Sequence, residues 1–189
     1  MPDTVNPLLP GRQRVLLVGE GVYDGVVDSY RRALTAHYDV EVFDPYAVLG
    51  RLGDRLGPVW GRRLVGATTL LSRSFLREPL ALSEPRLMKF AREFAADLVL
   101  VTCIAELRPH VVAGLRAGNP RCKVFGVFSD AIVHIGRGYF FAADYDALFF
   151  KDHYIVDKLR TKLGWTHVHY LPQACDRVLR LEGGRLVAA

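Results

Sequence analysis

A carboxylate and an imidazole lie four residues apart in the stretch "SDAIVH", where Asp130 and His134 follow an apolar run that ends at Ser129. A carboxylate near an imidazole can hold the tautomer that lets histidine accept a proton from a hydroxyl group. We therefore take His134 as the candidate catalytic base and Asp130 as its catalytic partner. The alternative is an aspartate that caps a loop and an exposed histidine.

Other polar residues and glycines follow apolar runs in the same way, and they are candidates for substrate binding. Glu20 could face the binding cleft as a polar anchor for the substrate or as a base. The alternative is an acidic loop residue that only contacts solvent. Lys151 suits the neutralisation of a phosphate, or an ion pair with a neighbouring aspartate. Gln173 and Asp176 lie near the end of the last predicted strand, where a linker to a further domain would begin. The full set of substrate-binding candidates is Gly19, Glu20, Gly21, Ser129, Lys151, Gln173 and Asp176.

The stretch "VGEGVYDGVV" partly matches the dinucleotide fingerprint G-x-G-x-x-G. Gly19 and Gly21 fit, but the third glycine comes one position late, at Gly25, and Asp24 occupies its place. A carboxylate there would repel a pyrophosphate bound at the helix N-terminus. Asp44 does mimic the acid that binds a ribose. We expect a tight strand-to-helix turn that requires glycine and no cofactor, with an NAD(P)-binding oxidoreductase domain as the alternative.

Strand-like and helical segments alternate along the chain. Apolar runs predict strands at 14–18, 97–103, 123–129 and 147–151, alternation of apolar and polar residues predicts one at 39–44, and 167–172 closes the series. A helix is expected to follow the first strand. Ser83 is expected to cap a second helix, and Pro109 to begin a third. Gly164 is expected to end a fourth helix, whose apolar face includes Leu163. Residues 46–82 are read as one or two helices with loops. This alternation predicts a Rossmann-like parallel sheet with helices on both faces, whose ligands bind at the carboxyl ends of the strands.

Composition narrows the class of protein. The chain has 189 residues, which is enough for one domain. Its formal net charge of +5 indicates a basic surface. Such a surface favours acidic or phosphorylated partners, or it is simply solvated. Three scattered cysteines and the pair His167 and His169 make no metal site or disulfide framework. The N-terminus carries no signal peptide, and we expect a cytoplasmic protein. Residues 61–82 mix arginines with apolar residues, which suits weak membrane-surface contact or a packed helix.

Several motifs together resemble a known family. The segment "ALFFKDHYIVDKLRTKLGWTHVHYLPQACD" is similar to the end of the N-terminal domain in bacterial GT-B glycosyltransferases of the spore-maturation-protein-like group. Upstream, the stretch "DLVLVTCIAELRP" resembles a strand of the same domain and the helix that follows it. The stretch "VFGVFSDA" resembles the end of another of its strands. The stretch "VFGVFSDA" departs from the family pattern at Ala131, where the family often has a second acidic residue. The resemblance covers nearly all of residues 14–176.

The resemblance implies an acceptor-side domain of an enzyme that transfers a sugar from a nucleotide-sugar donor. A second Rossmann-like domain or a partner subunit would hold that donor, so we expect half an enzyme that is inactive alone. Residues 1–13 are then a flexible lead-in, 14–176 the domain, and 177–189 a linker remnant. No nucleic-acid partner is expected, and an uncovered cleft would favour self-association. A ligand-binding or interaction module without catalysis is a further alternative.

Overall fold

A computed structural model of the chain describes residues 12–19, 25–45, 47, 79–102, 107–129, 138–172, 179–182 and 185–188. Six strands form one sheet in the order β2-β1-β3-β4-β5-β6, and every neighbouring pair is parallel. The strands are β1 Arg14–Val18, β2 Asp39–Phe43, β3 Leu98–Thr102, β4 Lys123–Phe128, β5 Ala147–Phe150 and β6 Val168–Tyr170. The predicted Rossmann-like α/β sheet is confirmed.

Four α-helices connect these strands within the described part of the chain. They are α1 Val26–Thr35, α2 Pro79–Phe94, α3 Pro109–Gly118 and α4 His153–Leu163, and a short 3-10 helix at Tyr139–Phe141 lies between β4 and β5. Each strand-to-strand connection moves across the sheet with the same hand. A move from β1 to β2 therefore puts α1 on one face, and every later move puts its helix on the opposite face.

The two faces of the sheet have separate apolar cores. One contains Val27 of α1 packed with strand residues such as Val15 and Leu17. The larger core lies under α2, α3, the 3-10 helix and α4, and Phe128, Phe140 and Leu148 are buried in it. Helices thus cover both faces, as predicted, but unequally. The continuous apolar runs of the central strands follow from this two-sided cover.

The helix boundaries agree with their sequence signals except at α2. Pro109 is in the first turn of α3, Asp152 caps α4 by accepting the Tyr154 N–H at 2.8 Å, and Gly164 ends α4 in a left-handed conformation at φ 68°. The expectation that Ser83 caps a helix is wrong, because α2 already begins at Pro79.

Pro85 explains that error. Proline favours the first turn of a helix, so the stretch "SEP" resembles a helix start, but here Pro85 lies inside α2 and Ser83 is buried within the helix. A smaller difference concerns α4. Leu163, predicted on its apolar stripe, is half exposed, whereas Val156 and Leu159 are the residues that α4 buries.

Three of the predicted segments fall partly or wholly outside this description. Most of residues 46–82 and the lead-in at 1–11 lie outside the described residues. Within the tail at 177–189, predicted as a linker remnant, strands β7 Leu179–Glu182 and β8 Arg185–Ala188 form a separate antiparallel pair.

Candidate functional site

The register of the sheet brings candidate residues from several strands to its carboxyl edge. Phe128 of β4 pairs with Phe150 of β5, so Ser129 and Lys151, the next residues of each strand, follow side by side. Both are half-buried. Gly19 directly follows β1 at the same edge of the sheet. Backbone pairing therefore brings a serine and a lysine to neighbouring positions at the edge where ligands of parallel sheets bind.

The other candidates are not part of the described structure. Asp130 and His134, the proposed acid–histidine pair, lie outside the described residues, as do the substrate-binding candidates Glu20, Gly21, Gln173 and Asp176. Their roles stay predictions from the sequence.

Gly19 is a glycine for reasons of packing. A Cβ atom built on it would lie 2.2 Å from Thr102 Oγ1 and 2.7 Å from Val27 Cγ2, closer than real Cβ contacts allow. The Thr102 hydroxyl also donates to the Val18 carbonyl at 3.2 Å, which fixes it against the glycine. The turn after β1 thus needs a residue without a side chain.

Two further observations bear on the dinucleotide alternative. The Gly19 N–H donates to the Phe43 carbonyl at 3.2 Å, so it serves the sheet and not a phosphate. Among the described strands the order is 2-1-3-4-5-6, so the sheet extends from β1 in both directions, as parallel doubly wound sheets do. Asp44, the candidate ribose acid, directly follows β2 and is half-buried.

A buried ion pair near the carboxyl edge was not predicted. Glu84 of α2 has a side chain that is only 6% exposed, and Arg108, just before α3, donates to both of its carboxylate oxygens, with Nε at 2.6 Å from Oε1. His110 Nε2 lies 3.3 Å from the same carboxylate, and the imidazole is mostly exposed. The group joins α2 to the start of α3.

The α2–α3 contact explains how these charges meet. A Cβ atom on Gly114 would lie 2.6 Å from Met88 Sδ, so glycine allows the two helices to approach closely. Glu84 precedes Met88 by four residues on α2, and His110 precedes Gly114 by four residues on α3. Both residues therefore lie about one helical turn closer to the carboxyl edge than the Met88–Gly114 contact. The Leu107 N–H, in the same connection, donates to the Tyr145 hydroxyl at 3.3 Å. One sequence signal was available: Glu84 precedes the buried Leu87 and Ala91 by three and seven residues, a core position for a charged side chain.

The opposite, amino edge of the sheet holds a second charged cluster. Asp146 accepts from Lys123 at 2.9 Å, from Arg116 at 3.0 Å and from the Val124 N–H at 2.9 Å. Burial raises the pKa of Asp146, but these hydrogen bonds outweigh burial and hold the pKa below its usual value. The cluster ties α3 to the starts of β4 and β5, which is a structural role.

The one cysteine among the described residues is not an activated nucleophile. Burial, together with the charges of Asp146 and Asp97, raises the pKa of Cys122 to about 11. Its thiol is therefore protonated at neutral pH, which suits a packing role.

Metal binding has no support in the described part of the chain. His167 packs on Trp165 with 5.2 Å between ring centroids, and His169 packs on Phe149 at 5.4 Å. No group of three or more histidine, cysteine or acidic residues within the described ranges could hold a metal ion. No helix among these residues is long and apolar enough to cross a membrane.

The fold and this edge define a Rossmann-like α/β protein with polar groups at the carboxyl ends of its strands. Comparison of the chain with protein-family models, with curated proteins and with solved structures found no match.

Proposed function

We propose that the chain is the acceptor-side domain of a GT-B glycosyltransferase and binds a hydroxylated acceptor at the carboxyl edge of its sheet. The observation that supports this proposal most directly is the placement of Ser129 beside Lys151 by the pairing of Phe128 with Phe150. A hydroxyl and an ammonium group at that edge can hydrogen-bond the hydroxyl groups of a sugar. The motif resemblance over residues 14–176 supplies the reaction class.

In the proposed reaction, an acceptor hydroxyl oxygen attacks the anomeric carbon of a nucleotide sugar and forms the new glycosidic bond. The bond from that carbon to the nucleoside diphosphate breaks, and the diphosphate leaves with the electron pair. The acceptor proton goes to a base, which the sequence assigns to His134 with Asp130 as its partner. The positive charge of Lys151 suits the growing negative charge of the leaving diphosphate. The resemblance assigns the donor itself to a second domain or subunit.

The dinucleotide alternative is supported by Gly19 and Gly21, which fit the fingerprint, and by Asp44 after β2. Against it stand the use of the Gly19 N–H within the sheet and Asp24 in the place of the fingerprint's third glycine, where its carboxylate would repel a pyrophosphate. A module that binds ligand without catalysis would use the same edge.

Chemical-shift mapping tests the proposal. The ¹⁵N-labelled 189-residue chain is titrated with a panel of methyl pyranosides in the gluco, galacto, manno and N-acetylglucosamine configurations. We expect at least one sugar to shift the amide resonances of Gly19, Ser129 and Lys151, while those of Asp97 and Lys123 at the amino edge stay unchanged.

Variants sharpen this test. Because a hydrogen bond from a charged group contributes about 1.5–3 kcal/mol, Lys151→Ala should weaken binding about tenfold or more. Lys162→Ala, which removes an exposed lysine at the far end of α4, is the matched control and should leave binding unchanged. A panel without any shift at the carboxyl edge would contradict the proposal. Micromolar affinity for NAD or NADP in titration calorimetry would favour the dinucleotide alternative instead.

A further inference from the structure

Exposed aromatic residues gather where β6 ends and α4 begins. Tyr154 is 59% exposed, Tyr170 is 51% exposed and Leu171 is 37% exposed. With His153 they form a surface that we call the tyrosine shelf. Apolar side chains clustered on the surface beside a functional edge mark a binding site more often than isolated ones do.

The shelf is continuous with the proposed acceptor site. Phe150 pairs with Tyr170, and the Leu171 N–H donates to the Phe150 carbonyl at 2.9 Å. Since Lys151 directly follows Phe150, the first residues beyond β5 and β6 lie beside each other. Leu171 therefore extends the row formed by Ser129 and Lys151 by one strand, and Tyr170 lies one residue before it.

Neighbouring side chains contact the two tyrosine rings of the shelf. His153 meets Tyr170 edge to face, with ring centroids 6.0 Å apart and an interplanar angle of 89°. Lys158 Nζ lies 5.1 Å from the centroid of the Tyr154 ring. Asp152 caps α4 directly before these residues and fixes their backbone. Ordered tyrosines present flat surfaces at a low cost in conformational entropy.

The chemistry of the shelf matches a pyranose ring. Such a ring has an apolar face of C–H groups and a rim of hydroxyl groups. An exposed tyrosine ring offers a surface for that face, and the neighbouring ammonium and imidazole groups can bond the rim. The shelf comprises four residues, whereas a stable protein interface engages about 20–30 residues on each side. A single sugar ring fits this size better than a protein partner.

We infer that the tyrosine shelf is a carbohydrate subsite, on which Tyr170 stacks against one pyranose ring. The inference rests on the proposed function, because it places part of the acceptor on the same edge as Ser129 and Lys151.

The molecule supplies its own control surface. At the opposite end of β6, Phe141 is 52% exposed and Leu163 is 50% exposed, and the Phe141 ring lies 5.7 Å from that of Trp165. This second aromatic patch lies at the amino edge, where parallel sheets do not place their ligands. It matches the shelf in exposure and in aromatic content but not in position.

The experiment follows the aromatic ring resonances of the full chain while the same methyl pyranosides are added. Photo-CIDNP, which reports dye access to tyrosine rings, gives a second reading. We expect sugar to shift the Tyr170 ring resonances and to reduce their dye access. Tyr170→Ala should weaken binding about threefold to tenfold, Tyr170→Phe should retain most of it, and Phe141→Ala should bind like the wild type.

Three results would overturn the inference: unchanged affinity in Tyr170→Ala with its amide spectrum otherwise intact, loss of binding in Phe141→Ala, or an unperturbed Tyr170 ring at saturating sugar. If Ser129 and Lys151 amides shift while the Tyr170 ring does not, the subsite is wrong and the proposed function stands. If no resonance shifts along the whole edge, both are wrong.

Discussion

Replacing Gly19 with alanine tests how the end of β1 is built. The added Cβ atom would lie 2.2 Å from Thr102 Oγ1 and 2.7 Å from Val27 Cγ2. Overpacking of a well-packed core costs about 1–3 kcal/mol. We expect the upper end of that range, because Thr102 cannot turn away without losing its hydrogen bond to the Val18 carbonyl. Urea unfolding followed by circular dichroism measures the loss in the free energy of unfolding.

A double-variant cycle identifies the clashing partner. Thr102→Ala alone loses one buried hydrogen bond and should cost about 1 kcal/mol. In Gly19→Ala combined with Thr102→Ala, the shorter clash is gone, so the combined loss should fall below the sum of the two single losses by about 1 kcal/mol. The control is Gly118→Ala, where the nearest atom is Arg92 Nε at 3.5 Å. It should be neutral or stabilising, since alanine favours helix by about 0.5–1 kcal/mol. A Gly19→Ala chain as stable as the wild type would refute the packing argument.

Two further predictions concern the amino edge. Asp146→Asn should cost about 2 kcal/mol at pH 7. Because the folded state lowers the pKa of Asp146 from its ordinary value of 3.8, this stabilisation is present above that value and is lost as the pH falls through the lower folded-state pKa. Urea midpoints of both chains should therefore converge in acid, and a constant difference would contradict the assignment. The second prediction concerns Cys122, measured in a chain whose other two cysteines are replaced by serine. Because burial raises the pKa of Cys122 to about 11, its reaction with iodoacetamide at pH 8 should be more than about a hundredfold slower in the folded chain than in urea. Equal rates would mean that the thiol is not buried.

The sheet could be predicted from the sequence because its central strands are buried on both faces. Burial on both faces demands continuous apolar runs, which the central strands β1, β3, β4 and β5 show, and the two edge strands β2 and β6 were also predicted. The predicted ends were one residue too long at Ser129 and Lys151, because backbone hydrogen bonding decides where a strand ends and is not visible in the sequence. The start of α2 was missed because Pro85 imitates a helix start.

The candidate site was less accessible to sequence reasoning. Ser129 and Lys151 could be chosen because each directly follows an apolar run, and the parallel order of strands then brings them together. Glu84 and Arg108 are 24 residues apart and belong to different elements, so only the packing of α2 on α3 reveals their ion pair. The shelf was missed for a similar reason. His153 begins α4 and Tyr170 ends β6, so their contact depends on how the chain returns from α4 to the sheet.

The strand order helps to locate the ligand. In open parallel sheets the expected binding place is the point where the order reverses, which here is between β1 and β3. At that point Gly19 donates its N–H to Phe43, and the buried Thr102 hydroxyl donates to Val18, so both groups are satisfied within the fold. Elsewhere on the described carboxyl edge, Asp44 follows β2 and His110 is exposed near β3, while Ser129, Lys151 and the tyrosine shelf lie around β4, β5 and β6. A ligand that needs hydroxyl, ammonium and aromatic contacts finds them together there, which is why the sugar titrations follow Ser129, Lys151 and the tyrosine shelf.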